Sequence, residues 1–180
     1  MAGMRLSRVG YYSDFVVYPA LILALGGAAL RQDGRSSLES WISLFLLFLG
    51  LWTLIEYLMH RFVLHHVPYL RTLHEEHHLQ ELEPIGTPTY LSLGLHGLLI
   101  FVPMLALFGF AAASAASSGL MLGYLWYISV HHILHHWHPE HSSYVYRLKR
   151  HHALHHHLDG GSNFGVTTAF WDRVLGTFRS

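Results

Sequence analysis

The feature that most constrains the fold is a series of long apolar segments separated by polar sequence. Residues 15–30 and 41–59 are almost wholly apolar, and so are residues 90–110 and 120–130. A helix of about 20 apolar residues crosses the hydrocarbon core of a bilayer. Only 12% of the residues are charged, about half the share usual in soluble proteins. The sequence therefore predicts an all-α integral membrane protein.

We predict one domain, residues 1–180, with four transmembrane helices at about 15–32, 41–60, 89–110 and 112–131 and a cap formed by residues 60–88 and 131–180. The first apolar segment also fits a signal peptide, because a basic start precedes it. We favour a membrane helix, since the segment is longer than most signal-peptide cores and follows Asp14. Pro103 predicts a kink in the third span. The small residues 111–119 predict a tight connection to the fourth span.

Basic residues predict the orientation. With four spans and a cytoplasmic N-terminus, Arg31 and Arg35 lie outside the cell. The other Lys and Arg residues lie inside: Arg5, Arg8, Arg61, Arg71, Arg147, Lys149, Arg150, Arg173 and Arg179. Because cytoplasmic loops carry an excess of Lys and Arg, both termini and every histidine-rich segment are predicted to be cytoplasmic. Arginine greatly outnumbers lysine, a bias typical of GC-rich genomes, and we favour a bacterial inner membrane over the endoplasmic reticulum.

Ten of the 18 histidines form two similar halves. Each half has a histidine pair where an apolar segment ends, followed by an H-x-x-H-H segment. The first half contains His60, His65, His74, His77 and His78, and the second contains His131, His135, His152, His155 and His156. A disordered metal-buffering tract is the alternative, but such tracts lack regular helical spacing.

The histidine pattern predicts a dinuclear metal site. The chain has no cysteine, so thiolate zinc sites and iron–sulfur clusters are excluded. Adjacent histidines in a helix point about 100° apart, so one can reach one metal while its neighbour reaches the other. His60 and His65 would lie about 140° apart on an α-helix, which favours two different ions for them too. Imidazole suits iron, copper, zinc or nickel, so ligand type alone does not identify the metal.

The four histidine clusters resemble the histidine boxes of the membrane fatty acid hydroxylase and sterol desaturase superfamily. The sequences Glu56-Tyr57-x2-His60-Arg61-Phe62 and Asn163-Phe164-Gly165-Val166-Thr167-Thr168-x-Phe170-Trp171-Asp172-Arg173 are similar to the segments around its first and last boxes. The resemblance covers roughly residues 52–178 and is greatest to fatty acid 2-hydroxylases.

This resemblance implies two iron ions held by the ten histidines, with no catalytic residue beyond the metal centre. Dioxygen is the implied co-substrate and a lipid C–H bond the implied target. Electrons would come from a separate electron-transfer protein, although several eukaryotic relatives carry a fused haem domain. Zinc could occupy the same ligands in recombinant protein. The zero formal net charge gives no general attraction to nucleic acid.

Three further residues are candidates for supporting roles. Because ligating histidines usually donate their other N–H to a carboxylate or carbonyl, we predict Glu56 and Asp172 as such acceptors. A salt bridge to Arg173 or Arg150 is the alternative for Asp172. Tyr127 is a candidate for the substrate entrance, with an interfacial tyrosine as the alternative.

Three functional hypotheses remain open from the sequence. The first is a fatty acyl 2-hydroxylase. The second is a hydroxylase or desaturase of the same superfamily that acts on a sterol, a carotenoid or another lipid. The third is a membrane metal-binding or transport protein, which would need ionisable residues through the bilayer. His96 is an ionisable residue inside a predicted span, and a packing role for it is the alternative to a functional one.

Overall fold

The structure, a computed structural model, describes residues 5–33, 38–158 and 160–180, without the side chains of 32 and 33. The predicted all-α class is confirmed, since the described residues form helices joined by short turns. The helices are α1 (Arg8–Tyr12), α2 (Asp14–Asp33), α3 (Leu38–Leu58), π1 (Met59–Leu64), α4 (Pro68–Leu79), α5 (Thr89–His96), π2 (Gly97–Phe101), α6 (Val102–His136), α7 (Tyr144–His157) and α8 (Phe170–Val174). Arg35 and the centre of the predicted outer loop lie outside the described residues.

Three helical stretches among the described residues are long and apolar enough to cross a membrane. They are Arg8–Arg31, Leu38–Leu64 and Thr89–His136. The first two agree with the first two predicted spans. The third replaces the third and fourth predicted spans with a single stretch of 48 residues.

The long third stretch is broken at Gly109. At 1.5 Å per residue an unbroken helix of this length would extend about 72 Å, more than twice the roughly 30 Å of the hydrocarbon core. Gly109 has φ 78° and ψ 178°, a conformation open essentially to glycine alone. The predicted connection at residues 111–119 is instead helical, because the turn is confined to this glycine. Pro103 lies two residues beyond the π-helical turn π2. Because proline has no N–H group, it cannot donate a backbone hydrogen bond to the preceding turn.

The described chain divides into two compact units. The membrane unit comprises residues 7–52 and 87–125, and the histidine unit comprises residues 5–6, 53–86 and 126–180. In the membrane unit, small residues between Ala113 and Ser118 are almost completely buried. A Cβ at Gly119 would overlap Phe45 O and lie 3.0 Å from Leu49 N, so α3 and α6 approach closely at this glycine, as small residues allow in membrane helices.

Candidate metal centre

The histidine unit gathers the ten predicted ligands into two groups of five. The first group contains His60, His65, His74, His78 and His155, and the second contains His77, His131, His135, His152 and His156. Within each group the candidate ligand atoms all lie within 4.8 Å of one another. No histidine from outside the ten predicted residues belongs to either group.

Each H-x-x-H-H segment contributes to both groups. On α4, His74 and His78 stay with the pair from π1, while His77 joins the pair from α6. The first and last histidines of the segment are one α-helical turn apart, and the middle one points to another face. The arrangement on α7 is the mirror of this, because His155 alone crosses to the first group. Sequence neighbours thus divide between the groups, as their helical angle predicts.

His60 and His65 share one group, contrary to the prediction that they serve two ions. Their ring centroids are 5.3 Å apart, and the two ring planes are inclined by 24°. The prediction assumed an α-helix, but Met59–Leu64 forms a π-helix. In a π-helix the hydrogen bond joins residues five apart, so positions five apart come nearly onto one face. The wider helical turn therefore brings both imidazoles to the same point.

The spacing of the ring nitrogens fits metal coordination. In the first group, His74 Nε2 lies 3.0 Å from Nε2 of both His60 and His78. In the second, His135 Nε2 lies 3.2 Å from His77 Nε2 and 3.0 Å from His152 Nε2. With metal–imidazole bonds of about 2.1 Å, ligands at a right angle lie about 3.0 Å apart and ligands at a tetrahedral angle about 3.4 Å apart. The observed distances lie within this range, so both groups fit a metal ion held by several imidazoles.

Burial keeps these imidazoles neutral. It lowers the pKa of His65 and His77 to about 4, because a buried imidazolium loses its hydration and lies near a second imidazole, that of His78. Burial likewise lowers the pKa of His155 to about 3, although a hydrogen bond to Ser162 O opposes the shift. A neutral imidazole carries the nitrogen lone pair that a metal needs. The ligands are therefore ready to bind at pH 7 without first losing a proton.

Backbone carbonyls orient two rings of the first group. His60 Nδ1 lies 2.5 Å from Phe164 O, and His155 Nδ1 lies 2.7 Å from Ser162 O. Because a carbonyl oxygen only accepts, each Nδ1 must carry the proton and donate it. Nε2 is then the free donor for a metal. The loop 162–168, here called the carbonyl loop, thus fixes the tautomer of both rings.

The two predicted acidic residues hold the carbonyl loop instead of the ligand imidazoles. Glu56 accepts hydrogen bonds from Val166 N at 2.7 Å and from Thr167 N at 2.8 Å. Asp172 accepts from Phe164 N and Gly165 N, both at 2.8 Å. Direct pairing of these carboxylates with ligand N–H groups stays a prediction. In the described contacts, backbone carbonyls accept from His60 and His155, and carbonyls cannot be recognised from residue types.

Asp172, itself fully buried, is the centre of a hydrogen-bond network. Its side chain also accepts hydrogen bonds from His151 Nε2 at 3.0 Å and from Thr177 Oγ1 at 2.8 Å. Burial raises the pKa of Asp172, but the hydrogen bonds from His151, Thr177 and Gly165 outweigh it and leave the pKa below its ordinary value. The Asp172 carboxylate pairs with His151, whereas Arg173 or Arg150 was the partner expected in the alternative prediction.

Two residues give the carbonyl loop its sharp course. Asn163 has φ 57°, and its side chain donates to His151 O at 3.2 Å and accepts from Arg179 N at 2.7 Å. A Cβ at Gly165 would overlap Thr168 O and lie 2.8 Å from Asp172 Oδ2. The loop therefore has no room for a side chain at this glycine.

Replacing Gly165 with alanine is expected to lower the free energy of unfolding by about 3 kcal/mol, because the added methyl group forces the carbonyl loop off Asp172. Thermal unfolding in detergent measures the change. Gly86→Ala is the matched control, since a Cβ at Gly86 meets nothing within 4 Å. Equal stabilities of the two variants would contradict this account of the loop.

Tyr127 lies next to the second group. Its ring stacks on His131 at 5.6 Å and 13° and packs against a small core formed by Leu134, Leu148 and Val166. A role at the substrate entrance stays a prediction. Among the histidines outside both groups, His132 and His136 form a ring pair on α6 with centroids 4.2 Å apart.

Glu81 was missed by the sequence analysis. Its carboxylate lies 3.5 Å from His135 Nδ1 and 3.6 Å from His156 Nδ1. The available signal was an acidic residue three positions after an H-x-x-H-H segment, but several other acidic residues lie nearby in the sequence. Only the fold brings this one to the second group.

Comparison with known proteins finds relatives that match almost the whole chain. A family model described as fatty acid hydroxylase matches residues 45–177. The chain is 30% identical over 204 residues to human fatty acid 2-hydroxylase, covering 96% of this chain and 53% of the relative. It is 31% identical to the ceramide very long chain fatty acid hydroxylase of Saccharomyces cerevisiae, covering 96% and 47% of the two chains. The chain thus spans about half the length of the curated relatives it matches.

A solved structure agrees. The structure titled full length scs7p, in which only the hydroxylase domain is visible, superimposes with a TM-score of 0.81 at 28% identity. The match covers 95% of this chain and 67% of the other. The family model extends across both histidine groups and both residues that anchor the carbonyl loop. The chain belongs to the fatty acid hydroxylase family.

Proposed function

We propose that this chain is a dioxygen-dependent lipid hydroxylase that uses two iron ions, one in each histidine group. The observation that carries the proposal is the presence of two five-imidazole groups in a chain of the fatty acid hydroxylase family. Imidazole nitrogen is a suitable donor for iron. When bound, the two irons would supply the activation of dioxygen needed to insert oxygen into a C–H bond.

The protein's own contribution is to hold and shield the ligands. His60, His152 and His155 are at most 2% exposed, so bulk water is kept from the centre. The carbonyl loop fixes the rings of His60 and His155 with Nε2 directed inward. No side chain other than the histidines is assigned to the chemical step.

The proposed substrate is a fatty acyl chain of a membrane lipid, oxidised at carbon 2. Relatives named fatty acid 2-hydroxylase and dihydroceramide fatty acyl 2-hydroxylase support this choice over a sterol or a carotenoid. Tyr127, stacked on His131, would contact a tail that approaches the second group along α6. Electrons would come from a separate electron-transfer protein.

We also propose four membrane crossings with both termini in the cytoplasm. The break at Gly109 divides Thr89–His136 into segments of about 20 and 27 residues, each long enough to cross once. The distribution of Arg and Lys supports the orientation. The matched relatives come from animals, fungi and a plant, which leaves the bacterial assignment resting on arginine usage alone.

Expression in a yeast strain that lacks its own ceramide fatty acid hydroxylase tests the function. We expect 2-hydroxylated acyl chains to appear in lipid mass spectra and to be absent with His78→Ala, which removes a ligand of the first group. His136→Ala is the matched control, because His136 lies outside both groups, and it should retain the product. Unchanged lipids in cells whose purified protein holds two irons would contradict the proposal.

Metal counting separates the enzyme from a metal store or transporter. Two tightly bound irons per chain are expected of the enzyme, since each group forms one site. A variable load that follows the metal supply would instead favour storage or transport.

A further inference from the structure

Glu81 is the acidic residue that faces the second histidine group. It lies just beyond α4, and one carboxylate oxygen, Oε2, is 3.5 Å from His135 Nδ1 and 3.6 Å from His156 Nδ1. The same oxygen is 3.7 Å from Nε2 of His157, which belongs to neither group. One carboxylate thus faces the outer nitrogens of two ligand rings carried by two different helices.

The first group is supported differently. Its rings from π1 and α7 donate their Nδ1 protons to neutral carbonyls, Phe164 O and Ser162 O. In the second group, Nδ1 of His77, His152 and His156 is buried without a hydrogen-bond partner among the residues that the structure describes. The two groups therefore have equal numbers of ligands but different surroundings: backbone carbonyls accept from outer nitrogens of the first, and the Glu81 carboxylate lies near outer nitrogens of the second.

The segment that carries Glu81 is fastened at both ends. Gln80 N donates to Glu76 O at 3.0 Å, which ties the segment to α4. On the other side, Leu6 N donates to Pro84 O at 2.9 Å. Arg5 forms an ion pair with Glu83 at 3.2 Å. The backbone that carries Glu81 is thus held in place on either side of it.

A small cavity adjoins the carboxylate. It has a volume of about 120 Å³ and is lined by Glu81, His135, His152, His157, Lys149 and two apolar residues. Lys149 Nζ donates to Leu134 O at 2.7 Å and to Trp137 O at 2.9 Å, and its positive charge opposes that of Glu81 at His135. The side chain of Glu81 is 37% exposed, which reduces its electrostatic effect without removing it.

We propose that Glu81 is a positioning residue for the second histidine group and makes the two metal sites unequal. Its carboxylate faces Nδ1 of His135 and Nδ1 of His156, and its negative charge increases the basicity of these rings and attracts a cation. Carboxylates behind metal-bound imidazoles have this effect. The second site therefore holds its ion more tightly than it would with a neutral residue at position 81. This inference rests on the proposed function only in requiring that both groups bind metal.

Zinc release from Glu81→Gln tests the inference without any need for catalysis. The full chain is loaded with Zn²⁺ in detergent, and release into an excess of a colorimetric chelator is followed over time. Glutamine keeps the size of the side chain and removes the charge. We expect one of two ions to leave about tenfold faster than in the wild-type chain, and the other to leave at the wild-type rate.

Variants that lack two ligands of one histidine group identify the ion that is affected. With His60 and His65 both replaced by alanine, the remaining ion should leave about tenfold faster when Glu81→Gln is added. With His131 and His135 replaced, adding Glu81→Gln should change nothing. The control for charge is Glu140→Gln, because Glu140 is an exposed carboxylate outside this segment. Its release rates should match those of the wild-type chain.

The outcomes distinguish this inference from the proposed function. A wild-type chain that fails to hold two zinc ions contradicts the two-site proposal itself. Two ions held by the wild-type chain and released at unchanged rates by Glu81→Gln overturn only the role of Glu81, and so does equal acceleration of both ions. If the glutamine variant yields no folded protein, Glu81→Asp decides in the same assay. It withdraws the carboxylate by one methylene, and unchanged release from it would overturn the inference.

Discussion

Replacing His155 with alanine is expected to lower hydroxylation at least about 100-fold and to empty the first metal site while the second stays filled. His155 lies on α7 beside ligands of the second group, yet its Nε2 is 3.2 Å from that of His65 in the first group. Loss of one ligand also frees Ser162 O, the partner of its Nδ1. Product formation by lipid mass spectrometry and metal content by elemental analysis measure the two effects.

Variants that keep only one complete histidine group test specifically whether His155 belongs to the first group. In a chain with His131 and His135 replaced, adding His155→Ala should remove the remaining ion. In a chain with His60 and His65 replaced, adding it should leave the remaining ion in place. His136→Ala is the control for loss of a histidine outside both groups. The reverse pattern would show that His155 serves the group of its sequence neighbours, and the assignment to the first group would be wrong.

Replacing Asp172 with asparagine is expected to lower the free energy of unfolding by about 3 kcal/mol and to weaken metal binding in the first group. Both carboxylate oxygens accept from backbone N–H groups, those of Phe164 and Gly165. An amide can accept at only one of these positions, so its NH₂ group would face an N–H donor. A buried donor without an acceptor costs about 1–3 kcal/mol, and His151 would lose its charged partner as well.

Thermal unfolding in detergent and zinc release measure these two consequences. Glu140→Gln makes the same carboxylate-to-amide change at an exposed residue and should alter neither. The weakened ion should be the one held by His60 and His155, because both rings donate to the carbonyl loop that Asp172 anchors. A stable Asp172→Asn variant with normal zinc release would show that the loop does not depend on this carboxylate.

The sequence was sufficient to single out the ten histidines, because their spacing in a helix determines the directions in which the imidazoles point. H-x-x-H-H in a helix places two imidazoles one turn apart and a third on another face. The structure gathers these residues into two groups of five without recruiting any other histidine. Apolar length likewise predicted the helical class and the positions of the first two spans.

Geometry that departs from the ideal α-helix could not be read from the residues. The π-helix at Met59–Leu64 reverses the angular argument for His60 and His65. Gly109 confines to one residue a turn that was predicted over residues 111–119. Both departures depend on which backbone hydrogen bonds form locally, and several sequences of similar composition would form different ones.

The surroundings of the ligands were decided by tertiary structure alone. Ser162 and Phe164 act through backbone carbonyls, which every residue has, so no residue type could mark them. Glu81 is one of several acidic residues near α4, and only the path of the chain after Leu79 brings it to His135.

By itself, the sequence predicted which side chains would gather as candidate metal ligands, because helical periodicity converts spacing into direction over one or two turns. The tertiary structure decided how those side chains divide between two groups and which carbonyls and carboxylates lie around them. Those contacts join residues up to 111 positions apart, as between Glu56 and Thr167, and no local periodicity extends that far.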